Sequence, residues 1–292
     1  MVYPNIPGML VVSISTGLFT AILKKAGFEV GLFDATLYSD NASVSPAKRM
    51  QYLQTRKFSY QKDLGIKMRG NLIKDFVRKV EDFQPDLLAI SVVENAFWQA
   101  LSLLEAIKKK NIPHLIGGVF PTSDPEKVIS FPQIKMIGIG EGEDTLLEIA
   151  QKMRDGLDIS DVPNTWLKKD GNQIIRNSVR PLVDINQIPF SDYSLFNEVR
   201  FHRPMGGRIF KTIPIETARG CPYQCTFCNS PLWNSFYRKH CQSIFLRHKK
   251  IDRLMAEIKF LVDKYQPQLF YVVDDTFLAR PIKEIREFAA RY

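Results

Sequence analysis

Cysteines carry the clearest chemistry in this sequence, and they crowd into one short segment: Cys221, Cys225, Cys228 and Cys241. A secreted disulfide-built domain spreads its cysteines to pin distant loops. Cysteines packed this closely read as a metal site instead. The first three have C-x3-C-x2-C spacing within Ala218-Arg219-Gly220-Cys221-Pro222-Tyr223-Gln224-Cys225-Thr226-Phe227-Cys228-Asn229. Three thiolates on a loop after a strand can hold three corners of a cubic iron–sulfur cluster. The fourth iron then lacks a protein ligand, and an open metal position is where a substrate can sit. The same cysteines could hold structural zinc, with Cys241 or His240 as fourth ligand.

Two further groups could do chemistry. Asp274-Asp275 ends the apolar run Leu269–Val273. Paired acceptor-only carboxylates suit an ammonium group or hydroxyls, and sites of parallel α/β folds lie at strand C-termini. The bland alternative is a solvated strand end or helix N-cap. Gly117-Gly118 and Gly140-Glu141-Gly142 each follow an apolar run. Glycines at strand ends let the backbone turn tightly and be approached closely.

The elements that must position these groups alternate in type. Helical stripes are expected over Ser15–Ala26, at Leu72 to Val80, at Phe97 to Ile107 and at Leu146 to Met153. Strands are expected at Phe28–Asp34, Asp86–Val93, His114–Gly118 and Lys135–Gly140. This βαβα order predicts a doubly wound parallel sheet, covered on both faces. Only Met1-Val2-Tyr3 precedes Pro4, so a first strand is expected to be short or cut. Thr165–Leu167 and Gln173–Ile175 flank the hairpin turn Asp170-Gly171. Beyond it, Pro181, Pro189 and Pro204 mark a linker. A second α/β unit follows: strand Thr212–Thr217, the cysteine loop, a helix from Ile251 to Tyr265, strand Leu269–Val273 and a helix from Ile282. Two βα units cannot close a barrel, so this domain is expected to be incomplete. The expected division is 1–155 (doubly wound domain), 156–211 (linker with hairpin) and 212–292 (partial barrel).

The cysteine loop, with an aromatic before its last cysteine, resembles the radical S-adenosylmethionine (SAM) superfamily. The upstream domain, Gly117-Gly118, Gly140-Glu141-Gly142-Glu143 and Asp274-Asp275-Thr276-Phe277 are similar to its cobalamin-binding branch. That resemblance implies a mixed α/β fold: a cobalamin-binding-like doubly wound sheet, a linker and an incomplete radical SAM partial barrel. It implies that Cys221, Cys225 and Cys228 ligate a 4Fe–4S cluster and that SAM chelates the open iron. One electron would cleave SAM to a 5′-deoxyadenosyl radical, which abstracts hydrogen from a small-molecule substrate. Phe227 would pack near the adenine, and Asp274 and Asp275 would contact SAM. Cobalamin would lie against Gly117, Gly118, Gly140, Glu141 and Gly142. The chain lacks the D-x-H-x-x-G motif and has Phe120 where the branch often has histidine, so a cobalt without a histidine ligand is expected.

The expected activity is therefore that of a cobalamin-dependent radical SAM enzyme, methyltransferase-like, weakly active or inactive as this chain alone. The alternatives are a radical SAM protein whose upstream domain takes no cobalamin, and a non-catalytic fragment with structural zinc. A low-potential electron donor is the implied partner, and the reducing cytoplasm the implied compartment. No run of about 18 apolar residues suggests a membrane span. The formal charge is +9, with basic residues concentrated at Lys48, Arg49, Arg56, Lys57, Lys62, Lys67, Arg69 and at Arg238 to Arg253. Such helices are more often solvated faces than nucleic-acid sites, and the expected counterpart is an anionic small substrate or the phosphate and tail of cobalamin.

Overall fold

The computed structural model describes residues 1–5, 11–38, 60–169 and 173–292. The Asp170-Gly171 turn and the basic residues Lys48, Arg49, Arg56 and Lys57 lie outside the described residues.

One sheet carries seven strands: Val2–Tyr3 (β1), Phe33–Asp34 (β2), Leu88–Ser91 (β3), His114–Gly117 (β4), Met136–Gly138 (β5), Thr165–Lys168 (β6) and Ile174–Arg176 (β7). Their order is β2-β1-β3-β4-β5-β6-β7. The first five are parallel, and the β6–β7 hairpin adds an antiparallel edge. Helices Ile14–Lys25 (α1), Leu72–Phe83 (α2), Glu94–Ala106 (α3), Val119–Ser123 (α4), Pro125–Ser130 (α5) and Glu143–Arg154 (α6) cover it.

Successive strand residues face opposite layers, as the period of two requires. Ile116 and Ile137 pack with Phe76, Val80, Phe97 and Ile129 from α2, α3 and α5. Their neighbours Leu115 and Met136 pack with Leu23, Leu146 and Ile149 from α1 and α6. This is the doubly wound arrangement expected from the alternation. The first strand is present but brief: Val2 pairs with both Phe33 and Ile90. The Phe28–Asp34 expectation narrows to two paired residues.

The second part begins with the hairpin His202–Met205 (β8) and Arg208–Ile215 (β9). A short ribbon of Ala218–Arg219 (β10) and Arg247–His248 (β11) follows, then Leu269–Val272 (β12). β12 pairs parallel with β9, and β8 pairs antiparallel on the other side. The helices are Ser230–Cys241 (α7), Ile251–Tyr265 (α8) and Ile282–Arg291 (α9). Leu254, Ile258 and Leu261 of α8 bury against Ile213 and Ile215.

Two features depart from the expected division. The hairpin at 165–176 extends the first sheet rather than standing in a linker. The strand expected at Thr212 starts at Arg208, because β8 pairs with its front half. The chain between them packs firmly. The Tyr193 ring lies on α1 so closely that a Cβ at Gly17 would come within 2.5 Å of it. The Tyr193 hydroxyl donates to the Pro214 carbonyl (3.0 Å). Val12 and Tyr3 join the core of the second part.

His114 gives a stability prediction. It is buried at the start of β4, with Nε2 accepting from the Lys135 N–H (3.3 Å) and Nδ1 3.4 Å from the Ile112 carbonyl. Only the neutral ring can accept at Nε2, and burial holds its pKa below the ordinary value. The depressed folded pKa means that its contribution is present above the unfolded value of about 6.5 and lost as pH falls through the folded one. Thermal melts of wild type should show stability falling below pH 6.5, and His114→Gln should flatten that dependence.

Candidate functional site

A cavity of about 730 Å³ opens between the two sheets. Its floor is the C-terminal edge of the parallel strands: Asn5 after β1, Val92 and Val93 after β3, Gly117 and Gly118 after β4, Gly140 to Glu143 after β5. The order β2-β1-β3 reverses direction between β1 and β3, the switch point where open α/β sheets bind ligands. Gly118 takes φ +109°, and a Cβ there would lie 2.6 Å from the Val92 carbonyl oxygen. Thr122 ties the two glycine loops together, donating to the Gly118 carbonyl (2.9 Å) and accepting from the Gly140 N–H (3.0 Å).

The opposite wall comes from the cysteine-loop region: Glu216, Ala218, Arg219, Gly220, Asn229, Ser230, then Trp233, Tyr237 and Phe245. The rings of Tyr237 and Phe245 stack 5.2 Å apart. The lining includes no histidine. Phe120 lies in the core against Phe97.

The two walls are joined by buried ions. Arg219 donates from Nε to Glu216 (2.9 Å), from Nη1 to Glu141 (3.0 Å) and pairs through Nη2 with Glu143 (2.6 Å). Arg247, its partner across the β10–β11 ribbon, also grips Glu141. Glu141 additionally accepts from the Val183 N–H (2.9 Å). Burial opposes ionisation of Glu141, yet Arg219 and Arg247 hold it below the ordinary carboxylate range. Burial pushes Glu143 up, with Arg219 opposing and Glu141 reinforcing the shift.

The expected site residues divide. Gly117, Gly118, Gly140, Glu141, Gly142 and Asp275 line the cavity. Glu141 does so as an ion-pair centre, its carboxylate already spoken for. Asp275 accepts from Ser230 Oγ (3.1 Å) and carries no cationic partner among the described residues. Asp274 is turned away: its carboxylate accepts from the Thr217 N–H (2.6 Å), the Thr217 hydroxyl and the Ala218 N–H (3.0 Å), which pins the turn into the cysteine strand. Phe227 is 92% exposed and does not line the cavity. These two differ from the expected cofactor contacts.

Cys221 is buried, and its carbonyl accepts from Asn234 Nδ2 (2.9 Å). Cys225 and Cys228 are exposed, joined by the turn Cys228 N–H to Cys225 carbonyl (3.1 Å), and the Ser230 N–H donates to the Cys228 sulfur (3.4 Å). Among the described residues no three His, Cys, Asp or Glu side chains converge on one metal-sized point. Three cysteine thiols on one loop are donor chemistry that suits an iron–sulfur cluster. Cys241 lies at the far end of α7, a helix of twelve residues and so about 18 Å long, donating to the Tyr237 carbonyl. His240 packs on Phe236. Neither is placed as a fourth ligand.

Sequence reasoning missed α7 and the ion network. Ser230-Pro231 is a helix-start signal, and Trp233, Phe236, Tyr237 have helical spacing. Two glutamates in a glycine loop at a strand end call for buried cations, and Arg219 beside Gly220 was the candidate.

Comparison with known proteins agrees with this geometry. Residues 17–150 match the family model of the B12 binding domain. The whole chain has the fold of cobalamin-dependent radical SAM enzymes. It superposes on OxsB with aqua-cobalamin and SAM bound at TM-score 0.65 and 17% identity, covering 99% of this chain and 36% of that one. For TsrM of Kitasatospora setae with cobalamin and a [4Fe-4S] cluster the values are 0.64 and 16%, covering 99% and 50%. Among curated proteins, an uncharacterized methyltransferase of Pyrococcus horikoshii is 27% identical over 212 residues, 70% of this chain and 42% of that protein. Cytidylyl-2-hydroxyethylphosphonate methyltransferase of Streptomyces wedmorensis is 22% identical, covering 89% of this chain and 50% of its own length. The chain thus spans half or less of these relatives. Among the described residues no helix is long and apolar enough to cross a membrane.

The ion network yields a direct test. Arg219→Gln leaves three buried carboxylates facing each other with one cation, a loss of about 3–5 kcal/mol. Urea denaturation should show that drop, while Arg238→Gln on the exposed face of α7 should leave the midpoint unchanged.

Proposed function

We propose that this chain is the cofactor-binding part of a cobalamin-dependent radical SAM methyltransferase. The observation that carries the reading is a cavity bounded on one side by Gly220, Asn229 and Ser230, which flank the three cysteines, and on the other by the glycine edge of a B12-binding-type sheet. Cys221, Cys225 and Cys228 would hold a 4Fe–4S cluster. Gly117, Gly118, Gly140 and Gly142 would let the macrocycle of cobalamin lie against the backbone. When bound, the cluster supplies the electron that cleaves SAM, and cobalamin supplies the methyl group.

The chain's own residues prepare that chemistry. Asp275, an acceptor without a cation, suits the ammonium group or ribose hydroxyls of SAM. Asp274 acts indirectly, by fixing the turn from which the cysteine loop departs. Trp233, Tyr237 and Phe245 stack on one another and give that cavity wall a rigid aromatic lining. We place the division of labour along the two sheets, with residues up to about 155 serving cobalamin and those from about 212 serving the cluster and SAM. The substrate is a small molecule, the reductant a low-potential electron donor, and the compartment the reducing cytoplasm.

Anaerobic reconstitution followed by electron paramagnetic resonance tests this. The expected result is a reduced 4Fe–4S signal that shifts on adding SAM, and its loss in Cys225→Ser. Hydroxocobalamin titrated into the same protein should give a saturable absorbance change. A cluster without cobalamin binding would favour a radical SAM protein that makes no use of B12. Zinc in place of iron would overturn the proposal.

A further inference from the structure

The cavity wall contains two arginines, and they differ in one respect. Arg219 is fully neutralised by Glu141, Glu143 and Glu216. Arg203, on β8, is not. Its guanidinium stacks over the Tyr271 ring, with Cζ 4.5 Å from the ring centre. Its Nη1 is buried and has no hydrogen-bond partner among the described residues. Tyr271 belongs to β12, so this cation stands on the second sheet.

An unpaired donor of a half-buried guanidinium is costly until an acceptor reaches it. Stacking on Tyr271 fixes the plane of the fork, and a guanidinium fork matches a carboxylate or phosphate. The first turn of α1 enters the same cavity and holds no acidic residue. An anion arriving there meets no repulsion from that turn.

We infer that Arg203 anchors an anionic group, a phosphate, phosphonate or carboxylate, on the substrate of the proposed reaction. This rests on the cavity being the reaction chamber. Arg203 then determines specificity: it holds the substrate by its charged end, and the apolar cavity holds the remainder.

The test uses the whole chain without cofactors. Wild type, Arg203→Gln, Arg203→Lys and Arg208→Gln, an exposed position on the same hairpin, are titrated with inorganic phosphate and methylphosphonate by calorimetry. Far-UV circular dichroism checks each fold. Saturable binding is expected in wild type, weakened roughly tenfold or more in Arg203→Gln. Arg203→Lys should fall between, since it keeps charge but loses the fork, and Arg208→Gln should match wild type. Equal binding in wild type and Arg203→Gln, or no saturable binding in wild type, overturns the inference. A second arm titrates cluster-loaded protein with SAM, and the apo chain with hydroxocobalamin. If Arg203→Gln weakens either as much as it weakens phosphate, the arginine serves a cofactor anion and the substrate assignment falls. Failure of the cluster to form would sink the radical SAM reading, yet leave the phosphate result readable.

Discussion

Glu141 between Arg219 and Arg247 is the contact on which the cavity depends. Those arginines face each other directly across a ribbon of two residues per strand. Like charges in that register repel, and a two-stranded ribbon this short has little stability of its own. Glu141, from the loop after β5 in the other sheet, sits against both. The carboxylate needs the cations because it is buried, and the cations need it because they are opposed. Glu216 on its own side meets part of Arg219's charge, but among the described residues Arg247 pairs with Glu141 alone. The residue after Arg219 is the glycine that opens the cysteine loop, so the position of that loop relative to the glycine edge is set by this shared ion group.

Other contacts converge on the same geometry. Asp274 clamps the turn between β9 and β10 from the end of β12. Arg280 reaches the Thr217 and Lys249 carbonyls on either side of the ribbon. Asn234 holds the Cys221 carbonyl from α7. The polypeptide on both sides of the cysteines is therefore fixed, while Cys225 and Cys228 stand exposed on the loop between.

The sequence exposed the parts governed by local rules. Near-continuous apolar runs marked β3, β4 and β5, and a clean stripe marked α8. Cysteine spacing marked the loop. What it hid were consequences of tertiary pairing. β8 is polar and proline-containing, and becomes a strand only because β9 lies beside it. The β6–β7 hairpin was legible as a hairpin, but nothing local showed which sheet it would join. Asp274 and Asp275 are neighbours with alternating directions, so one turns to the backbone and the other to the cavity. Adjacent acids invite a joint role, but past the end of β12 Asp274 is bound to the Thr217 and Ala218 N–H groups while Asp275 meets Ser230. Glu141 was visible as a loop residue, but its burial depends on Arg247, far along the chain.

The same geometry bears on which metal the cysteines serve. A structural zinc site is closed by four protein ligands. The two candidates for a fourth, His240 and Cys241, ride at the distal end of α7, and that helix is held in place by stacking of Trp233 and Tyr237 on Phe245. Bringing either back to the loop would unwind several turns and break that stack. Three thiols on one loop thus form a donor set that stays one short. For zinc that shortfall is a defect. For the proposed cluster, which must present one open iron to a second ligand, it is the requirement, and Asp275, the carboxylate proposed to meet that ligand's polar groups, lines the cavity.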